Sequence, residues 1–221
     1  MNLSLTEEDY LKTIYHLSEN IDNEGISTND IAKRIDISAA SVSDMIKKLS
    51  QKKLINYVKY QGVNLTELGK LTAVKIIRKH RLWETFLVEK LRFTWDEVHI
   101  VAEQLEHIDS DLLIQRLDEF LEYPQIDPHG DAIPNENGEF IIIKRILLKV
   151  APIHENLKVV AVEENSPIFL KYLNKLQINL GTNIKIIDKI DYDDSLEIQI
   201  NQSKVMMITK EVAENLYVIK I

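Results

Sequence analysis

Histidine and glutamate side chains recur at helical spacing in one stretch near the middle of the chain. Glu103 follows His99 by four residues, and Glu106 and His107 follow Glu103 by three and four. Residues three and four apart share a face of an α-helix, so a helix here would place two imidazoles and two carboxylates along one stripe. Imidazole nitrogens and carboxylate oxygens together suit first-row divalent metal ions. The alternative for this stretch alone is a solvated polar face that carries these residues incidentally.

A second pair, His80 and Glu84, repeats the four-residue spacing on another predicted helix at about residues 67–91. A single pair of this kind is commonly an ordinary surface hydrogen bond. Two such groups favour a metal site, and a chain without cysteine must bind a transition metal through nitrogen and oxygen atoms.

The amino-acid composition indicates what class of protein carries these histidine and glutamate residues. The chain has 221 residues, of which 45% are hydrophobic and 28% charged, as in a globular protein of two or three small domains. It has no cysteine, no apolar run long enough to cross a membrane and no N-terminal signal pattern, so we expect a cytoplasmic protein without disulfides or membrane contacts. The net charge of −8 argues against a nucleic-acid partner, but residues 45–60 contain five lysines and no acidic residue.

The N-terminal pattern predicts a winged helix-turn-helix. The apolar spacing predicts three helices, at residues 6–19, from 27 and at 39–52. Thr6 and Asp9 resemble a capping box at the start of the first. Two β-rich runs on either side of Gly62 then predict a hairpin, or wing, at residues 54–60 and 63–66. The alternative is a helical domain with an unrelated hairpin.

The third predicted helix carries groups suited to DNA. Its first turns offer small side chains that could reach phosphates or base edges in a major groove, and lysines follow that could bind phosphates. The candidate DNA-binding residues are Ser38, Ala40, Ser41, Ser43, Asp44, Lys47 and Lys48. Further positive charge in the same unit comes from Lys52, Lys53 and Lys59.

The rest of the chain is first helical and then rich in β-branched residues. Helices are predicted at 96–107 and 109–122, and a surplus of leucine and phenylalanine predicts a dimer interface, with an intrachain core as the alternative. Proline and glycine indicate a loop at 122–139. Five or six short strands, beginning at 140–143, and one helix at 167–176 then suggest a small β-barrel. The predicted fold is mainly α with a C-terminal β part.

Together these features resemble the metal-dependent transcriptional repressors of the diphtheria toxin repressor family, over essentially the whole chain. The resemblance rests on RKHRL at 78–82, EVH at 97–99, EH at 106–107, DPHG at 127–130 with IP at 133–134, SPIFLKYL at 166–173 and LG at 180–181. It implies a winged helix-turn-helix DNA-binding domain at 1–72, a helical metal-binding and dimerisation domain at 73–140, and an SH3-like C-terminal domain of the FeoA type at 141–221.

The resemblance also implies two metal sites in each subunit. The primary, activating site would consist of Asp9, Glu103, Glu106 and His107. The ancillary site would consist of His80, Glu84, His99 and, from the C-terminal domain, Glu164, with Glu163 as the alternative.

The implied metal is Mn²⁺ or Fe²⁺, with Zn²⁺, Co²⁺ or Cd²⁺ as substitutes in vitro. Asp9 and Glu103 stand where iron-sensing members have Met and Cys, which resembles the manganese-sensing branch. Oxygen-rich ligands without sulfur independently suit Mn²⁺. Lys12 stands where two-domain manganese-sensing members have Glu, so the three-domain members are the nearer match.

The expected function is a metal-activated repressor that controls metal-uptake genes. Without metal, Asp9, Glu103 and Glu106 are expected to repel one another, and metal binding is expected to order a homodimer on a palindromic double-stranded operator. No small-molecule substrate is expected. The alternatives are a winged-helix regulator that senses a small organic ligand and a carboxylate-bridged di-metal enzyme, although Gln104 stands where such an enzyme would have Glu three residues before His107.

Overall fold

The computed structural model describes residues 3–19, 25–58 and 61–221. The chain divides into two compact units, each with its own hydrophobic core. The first unit comprises Met1–His80, Glu103–Asp111 and Pro134–Phe140, and the second comprises Arg81–Ala102, Leu112–Ile133 and Ile141–Ile221. No helix within the described ranges has both the length and the apolar character needed to cross a membrane.

The first unit begins with helix α1, Leu5–Ser18, whose N-terminus carries a capping box. The Ser4 hydroxyl accepts a hydrogen bond from the Glu7 backbone N–H at 3.3 Å, and the Glu7 carboxylate accepts one from the Ser4 N–H at 2.7 Å. The predicted capping box of Thr6 and Asp9 is wrong, because Ser4 and Glu7 make this pairing two residues earlier with the longer Glu side chain. Asp9 therefore takes no part in the cap.

Helices α2, Thr28–Ile35, and α3, Ala39–Gln51, form the predicted helix-turn-helix. Ser27 and Ser38 cap the two N-termini, each accepting a hydrogen bond from a backbone N–H three residues on. Asp36 ends α2 in a left-handed conformation with φ of 60°, which allows the tight turn into α3. The helices share a buried core that includes Leu11, Ile14, Ile31, Val42, Ile46 and Leu49.

The wing is an antiparallel pair of strands, β1, Ile55–Val58, and β2, Gly62–Leu65. Gly62 has φ of 88°, and a Cβ added there would lie 2.5 Å from the backbone of Gly25, so glycine is required. The predicted charge contribution of Lys59 lies outside the described residues.

Three helices follow the wing: α4, Glu67–Leu91, α5, Val98–Leu105, and α6, Asp111–Phe120. Helices α4 and α5 carry four of the candidate metal ligands, namely His80, Glu84, His99 and Glu103. Helix α4 has the predicted bounds. Helix α5 is shorter than predicted, because the Ile108 N–H bonds to the Leu105 carbonyl and tightens the chain into a turn. The predicted single helical stripe is therefore wrong at its C-terminal end, where Glu106 and His107 lie in that turn.

The second unit contains a six-stranded antiparallel sheet with strand order β3-β8-β4-β5-β6-β7. The strands are β3, Ile146–Leu147, β4, Asn156–Val162, β5, Asn183–Lys189, β6, Leu196–Ile200, β7, Lys204–Ile208, and β8, Leu216–Lys220. Alternate residues of β6 are buried in the core, as the period of two requires. Helix α7, Pro167–Leu176, has the predicted bounds, whereas the short helix α8, Lys210–Glu214, is not predicted.

The strand predicted at residues 140–143 is wrong. These residues pair with no strand in the described part of the chain, and Ile142 is 91% exposed. An apolar, β-branched run favours extended backbone, but a strand also needs a neighbour that pairs with its N–H and C=O groups. Phe140 instead stacks on Tyr15 with ring centroids 6.4 Å apart.

The loop at residues 127–131 packs directly on strand β4. One carboxylate oxygen of Asp127 accepts hydrogen bonds from two backbone N–H groups of the loop, at 2.8 and 2.9 Å. The Val162 N–H of β4 donates to the carbonyl of His129 at 3.1 Å. Gly130 has φ of 89°, and a Cβ there would lie 2.0 Å from a β4 carbonyl oxygen. This loop brings His129 beside helix α4.

Candidate metal centre

In the first unit, three of the predicted primary ligands converge. One ligand atom from each of Asp9, Glu106 and His107 lies within 4.8 Å of the others. His107 Nε2 lies 3.2 Å from Asp9 Oδ1, and His107 Nδ1 lies 2.6 Å from the carboxylate of Glu8. Helix α1 supplies Asp9, and the turn after α5 supplies Glu106 and His107. Glu8 is a neighbour that the spacing did not predict.

The donor set of this cluster suits a divalent cation. Asp9 Oδ1 is buried and accepts no hydrogen bond from the residues that the structure describes, so a lone pair there is unsatisfied. Glu106 is 0% exposed, and a buried carboxylate needs a positive partner. The ligands are oxygen and nitrogen without sulfur, which matches the preference of Mn²⁺ and other hard or borderline ions.

Lys12 supplies a positive charge to the same cluster. Its Nζ lies 2.6 Å from both Glu103 Oε1 and Glu106 Oε1. The expected repulsion among Asp9, Glu103 and Glu106 is therefore offset by a cation of the chain itself, which the residue spacing does not predict. Lys12 follows Asp9 by three residues on α1, so the two side chains project from one face of that helix.

The ionisation of the cluster follows from burial and from these partners. Burial raises the pKa of Asp9, and His107 and Lys12 oppose this rise only in part. Burial also acts to raise the pKa of Glu106, but the hydrogen bond with His80 and the Lys12 ammonium outweigh it and lower that pKa. The same carboxylates outweigh the burial of Lys12 and raise its pKa. Glu106 and Lys12 are therefore both charged at neutral pH.

The predicted ancillary ligands are divided between the two units, with His80 in the first and Glu84, His99 and Glu164 in the second. His80 Nδ1 contacts Glu106 Oε2 at 2.5 Å in the first unit. Glu84 Oε1 lies 3.4 Å from His99 Nδ1 in the second unit. Glu164 accepts a hydrogen bond from the hydroxyl of Ser166, the N-cap of α7, and among the described residues it joins no group of converging histidine and carboxylate side chains. The alternative, Glu163, accepts a hydrogen bond from the Tyr217 hydroxyl at 2.6 Å.

A further buried group, Glu84, Asp127 and His129, lies in the second unit and was not predicted. His129 Nδ1 lies 3.4 Å from Glu84 Oε2, and His129 Nε2 donates to the backbone carbonyl of Trp95 at 2.8 Å. Arg81 Nε lies 3.5 Å from Asp127. The signal that could have revealed this group is the DPHG motif, in which a carboxylate precedes a histidine by two residues.

The charges of this group are set by its burial and by one another. Burial raises the pKa of Asp127 to about 7, with Glu84 and Asp131 adding to the rise and Arg81 opposing it. Burial acts to lower the pKa of His129, but the Glu84 carboxylate outweighs it and raises that pKa to about 9. His129 is therefore an imidazolium at neutral pH, paired with Glu84.

All seven candidate DNA-binding residues are exposed on or at the start of α3. Ser38 is the N-cap, and the Ser43 hydroxyl donates to the Ala39 carbonyl at 2.9 Å. Asp44 pairs with Lys47 at 3.1 Å, so part of the charge of Lys47 is compensated on the helix surface. The opposite face of α3 is buried, which leaves this polar face available to a partner.

Three family models match consecutive parts of the chain. Residues 2–63 match the iron dependent repressor, N-terminal DNA binding domain, and residues 66–135 match the iron dependent repressor, metal binding and dimerisation domain. Residues 146–220 match the FeoA domain. The first two are models of transcriptional repressors rather than of enzymes, which removes the alternative of a di-metal enzyme.

Two related proteins are also repressors by name. The iron-dependent repressor IdeR of Mycobacterium tuberculosis is 37% identical over 131 residues, which cover 58% of this chain and 55% of IdeR, so the match spans about half the length of that relative. The diphtheria toxin repressor of Corynebacterium glutamicum is 30% identical over 200 residues, which cover 83% of this chain and 84% of that protein.

One solved structure is similar over nearly the whole chain. It is described as a manganese-dependent transcriptional repressor in complex with manganese, and it is 32% identical with a TM-score of 0.86, covering 97% of this chain and 100% of its own. The order of the matched domains, the identity over most of both chains and the shared fold all agree. The chain belongs to the diphtheria toxin repressor family of metal-dependent, DNA-binding transcriptional repressors.

Proposed function

We propose that this protein is a manganese-activated repressor that binds operator DNA as a homodimer and controls genes for metal-ion uptake. The observation that carries the proposal is the convergence of Asp9, Glu106 and His107 around the buried, unsatisfied Asp9 Oδ1. Family membership supports the general class of metal-dependent repressor. The metal, the regulated genes and the form of the operator belong to the proposal.

The ligand chemistry favours Mn²⁺. Asp9, Glu106 and, beside them, Glu103 offer carboxylate oxygens, and His107 offers one imidazole nitrogen. Mn²⁺ accepts oxygen-rich coordination readily, whereas a thiolate would recruit softer or more tightly bound ions. Fe²⁺ is the competing physiological metal in this proposal, and Zn²⁺, Co²⁺ and Cd²⁺ would serve as substitutes in vitro.

The cluster connects metal binding to the DNA-binding helices through α1. Asp9 lies on α1, and the opposite side of α1 contributes Leu11 and Ile14 to the core shared with α2 and α3. A bound cation would supply positive charge that holds Asp9 to the turn containing Glu106 and His107. Helix α1 would then hold the helix-turn-helix in one position, which lowers the ordering cost of DNA binding.

Helix α3 is proposed to lie in the major groove, with Lys47 and Lys48 on phosphates and Ser41 and Asp44 near base edges. A two-fold dimer presents two such helices to half-sites one helical turn, or a multiple of it, apart. The proposed operator is therefore a palindrome in double-stranded DNA.

An exposed apolar surface of the second unit supports the homodimer. Several large apolar side chains of its helices, or next to them, are at least half exposed: Leu91, Ile100, Leu112 and Phe120. Phe120 packs against Phe86 at 6.1 Å between ring centroids, so part of this surface is already ordered. Large apolar side chains that are exposed on helices in a single chain are candidates for burial in a subunit interface.

Three finer assignments complete the proposal. The domains are divided at residues 1–72, 73–140 and 141–221. Glu84 and His99, with His80 and a group from the C-terminal domain such as Glu164, bind a second, ancillary ion. The protein acts in the cytoplasm, because a repressor works where the chromosome is.

The proposal is tested by operator binding titrated with Mn²⁺ under anaerobic conditions. Glu106→Gln and His107→Ala should each abolish metal-activated DNA binding, because each removes a ligand from the primary cluster. Glu136→Gln, an exposed carboxylate in a loop, is the matched control and should respond as the wild type does. Calorimetry that shows no Mn²⁺ binding to the wild type would contradict the proposal and favour a regulator that senses an organic ligand.

Metal identity is tested at Glu103. Glu103→Cys places a thiolate beside Glu106 and His107, so it should lower the response to Mn²⁺ and raise the response to Fe²⁺ or Zn²⁺. The manganese assignment fails if the wild type responds to Fe²⁺ at far lower free concentration than to Mn²⁺ and Glu103→Cys leaves that order unchanged.

A further inference from the structure

The buried loop at 127–131 connects a proposed metal ligand to the C-terminal sheet. We infer that His129 is a positioning residue whose Nδ1 holds the Glu84 carboxylate in the orientation that faces His99. The inference rests on the proposed function, because it takes Glu84 and His99 to bind the ancillary ion.

The orientation of the His129 ring is determined on its other side. Nε2 must be the donor to the Trp95 carbonyl at 2.8 Å, since a carbonyl oxygen can only accept. The Trp95 ring also stacks on the imidazole, with centroids 6.4 Å apart and an interplanar angle of 14°. With Nε2 and the ring face fixed in this way, Nδ1 lies 3.4 Å from Glu84 Oε2, an ion-pair distance without hydrogen-bond geometry, and this nitrogen has no hydrogen-bond partner among the described residues.

Glu84 lies between two imidazoles as a result. Its Oε2 faces His129, which is 1% exposed, and its Oε1 faces His99, whose side chain is 32% exposed. An ion can therefore reach Glu84 from the His99 side, while the opposite oxygen is held by a buried partner. Partners that orient a metal-binding carboxylate in this way are typically worth about 10- to 100-fold in metal affinity.

The same loop is bonded to the C-terminal sheet. The His129 carbonyl accepts from the Val162 N–H of β4, and the Gly130 carbonyl accepts from the Arg145 guanidinium at 2.7 Å. Trp95 Nε1 donates to Asn174 of α7 at 2.8 Å. The position of Glu84 is therefore coupled, through His129, to the packing of the C-terminal sheet and α7.

A separate ion held by Glu84, Asp127 and His129 is the weaker interpretation. One oxygen of Asp127 already accepts two backbone N–H groups, and Arg81 lies 3.5 Å from the carboxylate. His129 supplies another positive charge. The negative charge of the two carboxylates is thus compensated by groups of the chain itself. The role of His129 in this group is to orient Glu84.

Two amide substitutions at residue 129 distinguish the contribution of Nδ1 from that of Nε2. An asparagine amide reaches about as far as Nδ1, so His129→Asn retains a donor near Glu84 and loses the bond to Trp95. A glutamine amide reaches about as far as Nε2, so His129→Gln retains the bond to Trp95 and loses the donor to Glu84. Both variants lose one interaction of the same ring and should lose similar thermal stability.

The experiment measures Mn²⁺ binding to the metal-free full chain by calorimetry and by Mn²⁺ electron paramagnetic resonance, with Glu84→Gln as the reference for loss of the ancillary ion. His129→Gln should weaken the ancillary ion by about 10- to 100-fold, whereas His129→Asn should remain within about threefold of the wild type. The primary ion should bind equally in all variants.

The inference is overturned if both variants bind the ancillary ion as the wild type does, or if His129→Asn is the weaker of the two. The second result would assign His129 only to anchoring Trp95. A wild type that binds one ion or none refutes the ancillary site itself and the inference with it, and this outcome is visible in the wild-type titration alone.

Discussion

Lys12 is the residue on which the metal-free state of the primary cluster depends. Its ammonium bridges Glu103 and Glu106 at 2.6 Å, and Glu106 is fully buried. A cation of the chain thus stabilises the carboxylates before any metal binds, and it also repels an ion that enters beside them. Lys12 should therefore oppose metal binding while it stabilises the metal-free fold.

Lys12→Met separates these two effects. Without the ammonium, Mn²⁺ should bind the primary cluster on the order of tenfold more tightly, because a unit charge a few ångströms away is removed. The metal-free protein should lose about 3 kcal/mol of unfolding free energy, because Glu106 stays buried with one partner fewer. Calorimetry with Mn²⁺ and denaturant unfolding in a chelator measure the two effects.

The control is Lys52→Met, which removes an ammonium that pairs with Glu7 at 2.8 Å near the start of α1. It should leave Mn²⁺ affinity unchanged. Weaker Mn²⁺ binding in Lys12→Met would show that Lys12 orders the ligands more than it repels the ion.

Residue types and spacing singled out Glu106 and His107, the family resemblance added Asp9, and the structure brings the three together. Residue types and spacing did not predict Lys12 or His129 as partners. Lys12 and Glu106 are 94 residues apart in the sequence. The spacing of residues within one helix carries no information about contacts between residues so far apart. The turn at Glu106 was missed because no Gly or Pro interrupts the pattern, although Ser110, of a type that commonly caps helices, directly precedes α6.

At the scale of elements, the recognition helix α3 presents a charged, exposed face. Lys47→Ala and Lys48→Ala should each weaken specific and non-specific DNA binding together, and each should reduce the slope of log affinity against log salt by about one unit. The effect of Lys47 should be the smaller, because its charge is partly compensated by Asp44 at 3.1 Å.

Lys204→Ala, on β7 in the second unit, is the matched control and should leave the salt slope unchanged. Fluorescence anisotropy of a labelled operator at several salt concentrations gives the slopes. An unchanged affinity and slope in both α3 variants would mean that α3 does not contact the DNA backbone.

Gly130 tests the packing of the loop on β4. In Gly130→Ala the new Cβ would lie 2.0 Å from the Val160 carbonyl oxygen, in addition to the strain at φ of 89°. Gly181→Ala has the same type of strain at φ of 85° but nothing within 4 Å of the Cβ. Gly181→Ala should cost about 1 kcal/mol of unfolding free energy, and Gly130→Ala should cost at least about 2 kcal/mol more.

Denaturant unfolding of the two glycine variants measures the difference. Equal losses would show that the loop moves away from β4 without penalty, and would weaken the coupling inferred for His129.

The sequence predicted correctly those helices whose bounds depend only on residues within or next to the helix. Helix α4 has an uninterrupted apolar period, and α7 begins at a Ser-Pro pair and ends at a left-handed Gln177, so both have the predicted bounds. Residues 140–143 have the composition of a strand and still form none, because pairing depends on a neighbour that the sequence does not specify locally. The five-residue α8 is too short for its period to be recognised.

At the scale of the whole molecule, two units with separate cores must act as one regulator. The first contains the helix-turn-helix and the primary cluster, and the second contains the exposed apolar helices and the C-terminal sheet. The net charge of −8 conceals this division, since the lysines of α3 and the segment after it lie within an otherwise acidic chain. In the proposed function, metal binding in the first unit acts on a homodimer that forms through the second unit.

Ile100→Asp and Leu112→Asp test that role of the second unit. Both side chains are more than half exposed in the single chain, so a charge there should cost the monomer little. In a two-fold dimer each substitution occurs twice, and each buried apolar side chain contributes about 2 kcal/mol, so the dimer dissociation constant should rise by about a hundredfold or more. Operator affinity should fall accordingly, while Mn²⁺ binding at the primary cluster is retained.

Ile168→Asp is the control, because Ile168 is an exposed apolar residue of α7, outside the proposed interface. Sedimentation equilibrium across a range of protein concentrations distinguishes monomer from dimer for each variant. If Ile100→Asp and Leu112→Asp remain dimers with unchanged operator affinity, the apolar helices of the second unit do not form the interface. The two-fold symmetry that the palindromic operator requires would then have to come from another surface, and Ile168→Asp would be the first variant to examine for its loss.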